Sequence, residues 1–114
     1  MKASLKRAYD DEMAAARHLY RAGRLDDACR HLERAHVIAQ WHVLPHVLSH
    51  WLMLKIGLAR RSPSQVWGQA IRILLGALGS AVNIIPVGNT GGTNISMFKR
   101  LPISADVAKI LEGK

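Results

Sequence analysis

The sequence predicts a small all-α domain: two antiparallel helical hairpins, a long Gly/Asn-rich wrapping loop and a short C-terminal helix. Three observations carry this. Apolar residues recur at helical spacing in four successive segments. Helix-stopping or helix-starting residues stand at each junction between them: Gly23, Pro45 and the pair Ser62-Pro63. The chain of 114 residues, 49% apolar, is long enough for one core and too short for two, so residues 1–114 read as a single domain.

Each element follows from local chemistry. Leu5, Tyr9, Met13, Ala16 and Tyr20 form one stripe and predict a first helix over 4–21. Gly23 ends it by supplying a left-handed residue. Leu25, Ala28, Cys29, Leu32, Ala35, His36 and Ala39 form the second stripe, with Asp26 and Asp27 in a first turn where the helix dipole favours acids. A loop near 41–44 leads to Pro45, whose missing N–H costs nothing in a first turn. The third helix, 45–60, is apolar on most sides and is expected to be the central, buried one. Ser62 caps the fourth, 63–78, with Pro63 at its first position. Residues 79–102 carry no helical period, and Ser104 caps a last helix over 105–111. Trp41, Trp51, Trp67, Met53 and Met97 are expected as core residues and anchors.

Charge and cysteine usage narrow the function. Six of the eight acids, Asp10, Asp11, Glu12, Asp26, Asp27 and Glu33, lie in the first 33 residues, and none stands between Arg34 and Ala105. That stretch is poorly suited to Mg²⁺ or Ca²⁺, which want carboxylates. The net charge of +8 reads as a solvated basic surface that could also meet an anionic partner. Arg60-Arg61 and Lys99-Arg100 are two short basic pairs without interleaved aromatics, so nucleic acid is not expected. One cysteine, Cys29, permits no internal disulfide. The N-terminus meets acids where a signal peptide needs its apolar run, and no stretch offers some 20 clean apolar residues for a membrane span. A cytoplasmic protein without membrane insertion is expected.

The chemistry concentrates in His36, His46 and His50, three imidazoles within fifteen residues of mostly apolar helical sequence. Imidazole is the commonest transition-metal ligand, and a four-residue spacing on a helix points His46 and His50 the same way. If the second and third helices are neighbours, His36 faces them across the contact. Three imidazoles with Glu33 or water as a fourth ligand suit Zn²⁺, and Cu or Ni is compatible. The competing reading is a set of neutral core histidines, with Glu33 simply holding His36. His42 is a spare candidate in the loop; His18 and His31 read as exposed.

Gly88-Asn89-Thr90-Gly91-Gly92-Thr93 is a candidate anion cradle, weighed against plain turn chemistry. It is not a P-loop, because no Lys-Ser/Thr follows the glycines. It could also fold back over the helices and close the histidine pocket, contributing Asn89 or Thr90.

Two resemblances follow from these residues. The run RAGRLDDACRHLERA resembles the inner turn and second helix of a tetratricopeptide repeat at Gly23, Leu25, Asp26, Asp27, Ala28, Leu32 and Ala35. Nearly the whole chain, through HLERAHVIAQ, HVLSHWLMLKIG, GQAIRILLGA, PVGNTGGTNIS and LPIS, is similar to a small bacterial family catalogued as domain of unknown function 3703. That resemblance implies genomic company with heavy-metal resistance and efflux clusters, and supplies no catalytic residues.

The expected function is therefore a cytoplasmic transition-metal-binding protein engaged in sequestration, delivery or sensing. The alternative is a helical-hairpin interaction module that binds a peptide or protein partner or a second copy of itself. A catalytic role, with Glu33 as general base to a metal-bound water, is the weakest of the three, since no nucleophile–base order stands out.

Overall fold

The computed structural model describes residues 1–81, 91–93 and 100–112. Five helices stand in order: α1 (Ala3–Arg21), α2 (Leu25–Ala39), α3 (Val43–Ala59), α4 (Pro63–Ala81) and α5 (Ala105–Glu112). α1 pairs with α2 and α3 with α4, the two hairpins meet along α2 and α3, and α5 lies across α1 and α2. The all-α, two-hairpin expectation holds. No described helix is long and apolar enough to cross a membrane.

The stops work as the chain chemistry requires. Gly23 takes φ +76°, the Gly23 N–H donates to Tyr20 O, and the Arg24 N–H donates to Leu19 O, the pair of bonds that closes a helix end. α3 ends in the same way with Arg61 at φ +53°, where the Ser62 N–H reaches Gly57 O. An L side chain is strained there. α3 starts two residues before Pro45, with His42 extended at its N-cap. Pro45 still falls in the first turn, where no helical partner awaits its nitrogen. The Ser62 hydroxyl accepts the Gln65 N–H as the first cap of α4.

The apolar core lies among α1, α2, α3 and α5: Leu5, Tyr9, Met13 and Ala16 face Ala28, Leu32, Ala35 and Ile38, with Leu52, Met53, Ile56 and Val107 completing it. Each fully buried Leu, Ile or Met contributes about 1.5–3 kcal/mol of apolar transfer. Polar ties orient the layers. Glu12 accepts from Arg34 Nε at 2.8 Å and contacts His31 Nδ1 at 2.7 Å, joining α1 to α2. Arg34 also pairs with Asp106 of α5, and the Tyr9 hydroxyl donates to Pro45 O at the head of α3.

Two expectations are corrected. α3 lies between α2 and α4 but is not buried all round: Leu44, Trp51 and Leu58 on its outer side are 67%, 49% and 56% exposed. Trp41 and Trp67 are exposed too, so of the expected aromatic anchors none described is buried, while Met53 is. α5 packs on α1 and α2 of the first hairpin and not on the outer side of the second. Met97 and Lys99 lie outside the described residues.

Candidate metal centre

Among the described side chains of α4, the buried one is polar: Gln69, 3% exposed. It belongs to a polar cluster between α2, α3 and α4. His36 from α2 and His46 and His50 from α3 are all buried, and their Nε2 atoms converge. His36 Nε2 lies 2.8 Å from His46 Nε2 and 2.9 Å from His50 Nε2, and the third edge is 3.2 Å. The His36 ring meets the other two edge to face, with centroids 4.5 Å apart, and the His46 and His50 rings are tilted to one another at 4.9 Å. The one-turn spacing of His46 and His50 sets the two side by side, and the antiparallel α2/α3 contact brings His36 onto both.

This triangle has a property that no pair has. Each Nε2 is either an N–H donor or a lone-pair acceptor, never both. Among three mutually contacting nitrogens, two must therefore be alike. At least one contact is then donor against donor or lone pair against lone pair, whatever the protonation. A cation accepted by three lone pairs satisfies all three at once. The edges sit just below the ~3.3 Å nitrogen spacing of a tetrahedral ion with 2.0–2.1 Å Zn–N bonds, so the residues fit such an ion.

The protons are arranged to suit. His50 Nδ1 lies 2.7 Å from Gln69 Oε1, while Gln69 Nε2 donates to Gly91 O at 2.8 Å. The Gly91 carbonyl fixes which way the amide points, so the amide oxygen faces His50 and must accept its Nδ1–H. In the neutral ring that leaves the lone pair on Nε2, aimed into the triangle. Burial pushes both His46 and His50 down to about 4, and the Gln69 hydrogen bond only partly opposes this at His50. Both are neutral, ligand-ready bases at pH 7.

Backbone approaches the triad closely in two places. A Cβ at Gly76 of α4 would stand 3.1 Å from His46 Cε1. At Gly91, with φ +81°, it would stand 2.6, 2.8 and 2.9 Å from Cδ2, Nε2 and Cγ of His36. The glycine-rich segment does return over the histidines at Gly91. Gly88, Asn89 and Thr90, and with them the anion-cradle reading and the proposed Asn89 or Thr90 contributions, lie outside the described residues.

Glu33 is placed apart from this cluster. It is half-buried in a neighbouring cavity, where desolvation raises its carboxyl above the usual range, and the group of potential ligand atoms comprises the three histidines alone among the described residues. His42 caps α3 outside the cluster, His18 is exposed, and His31 pairs with Glu12. Gln69 is the residue that sequence reasoning missed. Its signal was a polar side chain on the same helical stripe as Val66 and Ile73.

Residues 3–111 match the family described as protein of unknown function (DUF3703). The chain belongs to this family. The match covers α1 to α4, all but the last residue of α5, and the whole triad, so the site lies within the family's own domain. No curated protein and no solved structure matches the chain. The comparisons lend no support to the tetratricopeptide resemblance of the first hairpin.

Proposed function

We propose that this protein binds a single transition-metal ion through His36, His46 and His50. The observation that carries this reading is the Nε2 triangle, whose three contacts no placement of protons satisfies. Zn²⁺ suits three imidazoles, Cu and Ni are compatible, and the absence of a carboxylate from the cluster among the described residues argues against hard ions. With three ligands supplied by the protein, a fourth position remains for water or an exchanging ligand. Sequestration or delivery in the cytoplasm is the role we favour. The single free cysteine and the heavy-metal setting implied by the family resemblance support it.

Elemental mass spectrometry on tag-free protein tests the reading. We expect about one metal per chain, with the site geometry of a single ion, and its loss in His46→Ala/His50→Ala. A folded wild-type chain that refuses Zn²⁺, Cu⁺ and Ni²⁺ in titration would return the histidines to a purely structural role.

One observation favours a second reading, as a module for a protein partner or a second copy. Leu44, Trp51 and Leu58 on α3 and Trp67, Leu74 and Leu78 on α4 are exposed. Light scattering on the eluting protein distinguishes these: a monomer with no co-purifying chain counts against both.

A further inference from the structure

A cavity of about 340 Å³ adjoins the triad, lined among others by Cys29, Glu33, Met53, Arg60, Gln69 and Thr93. Gln69 is the shared wall. The same side chain that lines the cavity accepts the His50 Nδ1–H and donates to Gly91 O. Gly92 lines the cavity, while its neighbour Gly91 lies against the His36 ring.

The ligand-bearing residues are laid out in two facing rows. On α2, Cys29, Glu33 and His36 are spaced i, i+4, i+7; on α3, His46, His50 and Met53 have the same spacing. That spacing stacks three side chains along one helix face. The helices run antiparallel, so thiol, carboxyl and thioether gather at the cavity end and the three imidazoles at the buried end. At 1.5 Å per residue the whole row is only about 10 Å long.

The cavity end has the right chemistry for passing on a borderline or soft ion. Thiolate and thioether are ligands that such ions accept, and an open cavity offers fewer of them than a closed site. The Cys29 thiol is half-buried and lines the cavity beside Glu33 and Met53, so an ion entering there meets sulfur and oxygen donors together. Arg60 is paired with Asp26 at the outer edge, which offsets its repulsion of an incoming cation.

We propose that this cavity is the passage by which the metal ion reaches and leaves the triad, with Cys29, Glu33 and Met53 as transient ligands that replace its water in transit. The proposal rests on the metal-binding reading above. On arrival the Cys29 thiol gives its proton to solvent as the metal–sulfur bond forms. When the ion moves to the three Nε2 lone pairs, that bond breaks and the sulfur takes a proton back. No electron is transferred.

Stopped-flow uptake of Co²⁺ and its release to a chromophoric chelator test this in wild type, in Cys29→Ser/Glu33→Gln, and in that double variant with Met53→Leu. We expect both rates to slow about tenfold or more while the equilibrium affinity stays within about twofold, because a passage alters kinetics and not end states. A transient thiolate-to-cobalt charge-transfer band should precede the final spectrum in wild type and be absent without Cys29. Unchanged rates overturn the proposal. A fall in affinity of the folded double variant also overturns it, since that would make these residues resting ligands. Cys29→Ser and Glu33→Gln are near-isosteric changes at half-buried positions, so the double variant decides the matter if Met53→Leu fails to fold. A wild-type chain that takes up no cobalt, zinc or copper sinks the metal reading itself, and this inference with it.

Discussion

Replacing Gly91 by alanine should damage stability and metal binding together, through one contact. At φ +81° an L side chain is strained by about 1–2 kcal/mol. The added methyl would also stand 2.6 Å from His36 Cδ2 and 2.8 Å from Nε2. Carbon atoms in contact prefer about 3.5–4.0 Å, so ring or backbone must give way by roughly 1 Å. Such overpacking typically costs about 1–3 kcal/mol, giving about 2–5 kcal/mol in all. That lowers the midpoint of thermal unfolding by roughly 10 °C or more for a domain of this size. A 1 Å shift of the ring also spoils a triangle with edges of 2.8–3.2 Å, so zinc affinity should fall by about tenfold or more, each decade being about 1.4 kcal/mol. Urea unfolding and zinc titration measure both effects. A double-mutant cycle with His36→Ala isolates the clash: removing the ring should recover about 1–3 kcal/mol of the penalty. Wild-type stability and affinity in Gly91→Ala, or an equal penalty with and without the His36 ring, would refute the reasoning.

Four further outcomes are expected. In the metal-free protein, His46 and His50 fall from 6.5 to about 4 on folding; between those values the unfolded chain binds more protons, so stability is complete above pH 6.5 and drops as pH falls through 4. Each group contributes on the order of 3 kcal/mol, and urea midpoints read across that range should trace the loss. His46→Leu removes one of the three converging ligands and should abolish the thermal stabilisation that added zinc gives wild type. Gln69→Leu strands the buried His50 Nδ1–H, costing about 1–3 kcal/mol in denaturant and about 10–100-fold in metal affinity. Arg61→Gly relieves the left-handed φ of +53° at the end of α3 and should add about 1 kcal/mol in thermal unfolding.

The sequence by itself determined the elements and the candidates. The stripes Leu5–Tyr20 and Leu25–Ala39, the stop at Gly23 and the cap at Ser62 are local chemistry, and local chemistry is readable in order along the chain. The four-residue spacing of His46 and His50 likewise guaranteed that they share a face. Tertiary structure decided what lies across that face. Whether His36 completes a triangle, whether Glu33 joins it or lines the cavity beside it, and that Gln69 sets the His50 tautomer all depend on how α2, α3 and α4 are set against one another. Trp51 and Trp67 went the other way, because aromatic character says that burial would be favourable but not that a partner surface exists to provide it. A helix fixes neighbours three and four residues apart. Contacts fourteen, nineteen or more residues apart, such as His36 with His50 and His50 with Gln69, belong to the packing, and the packing makes the site.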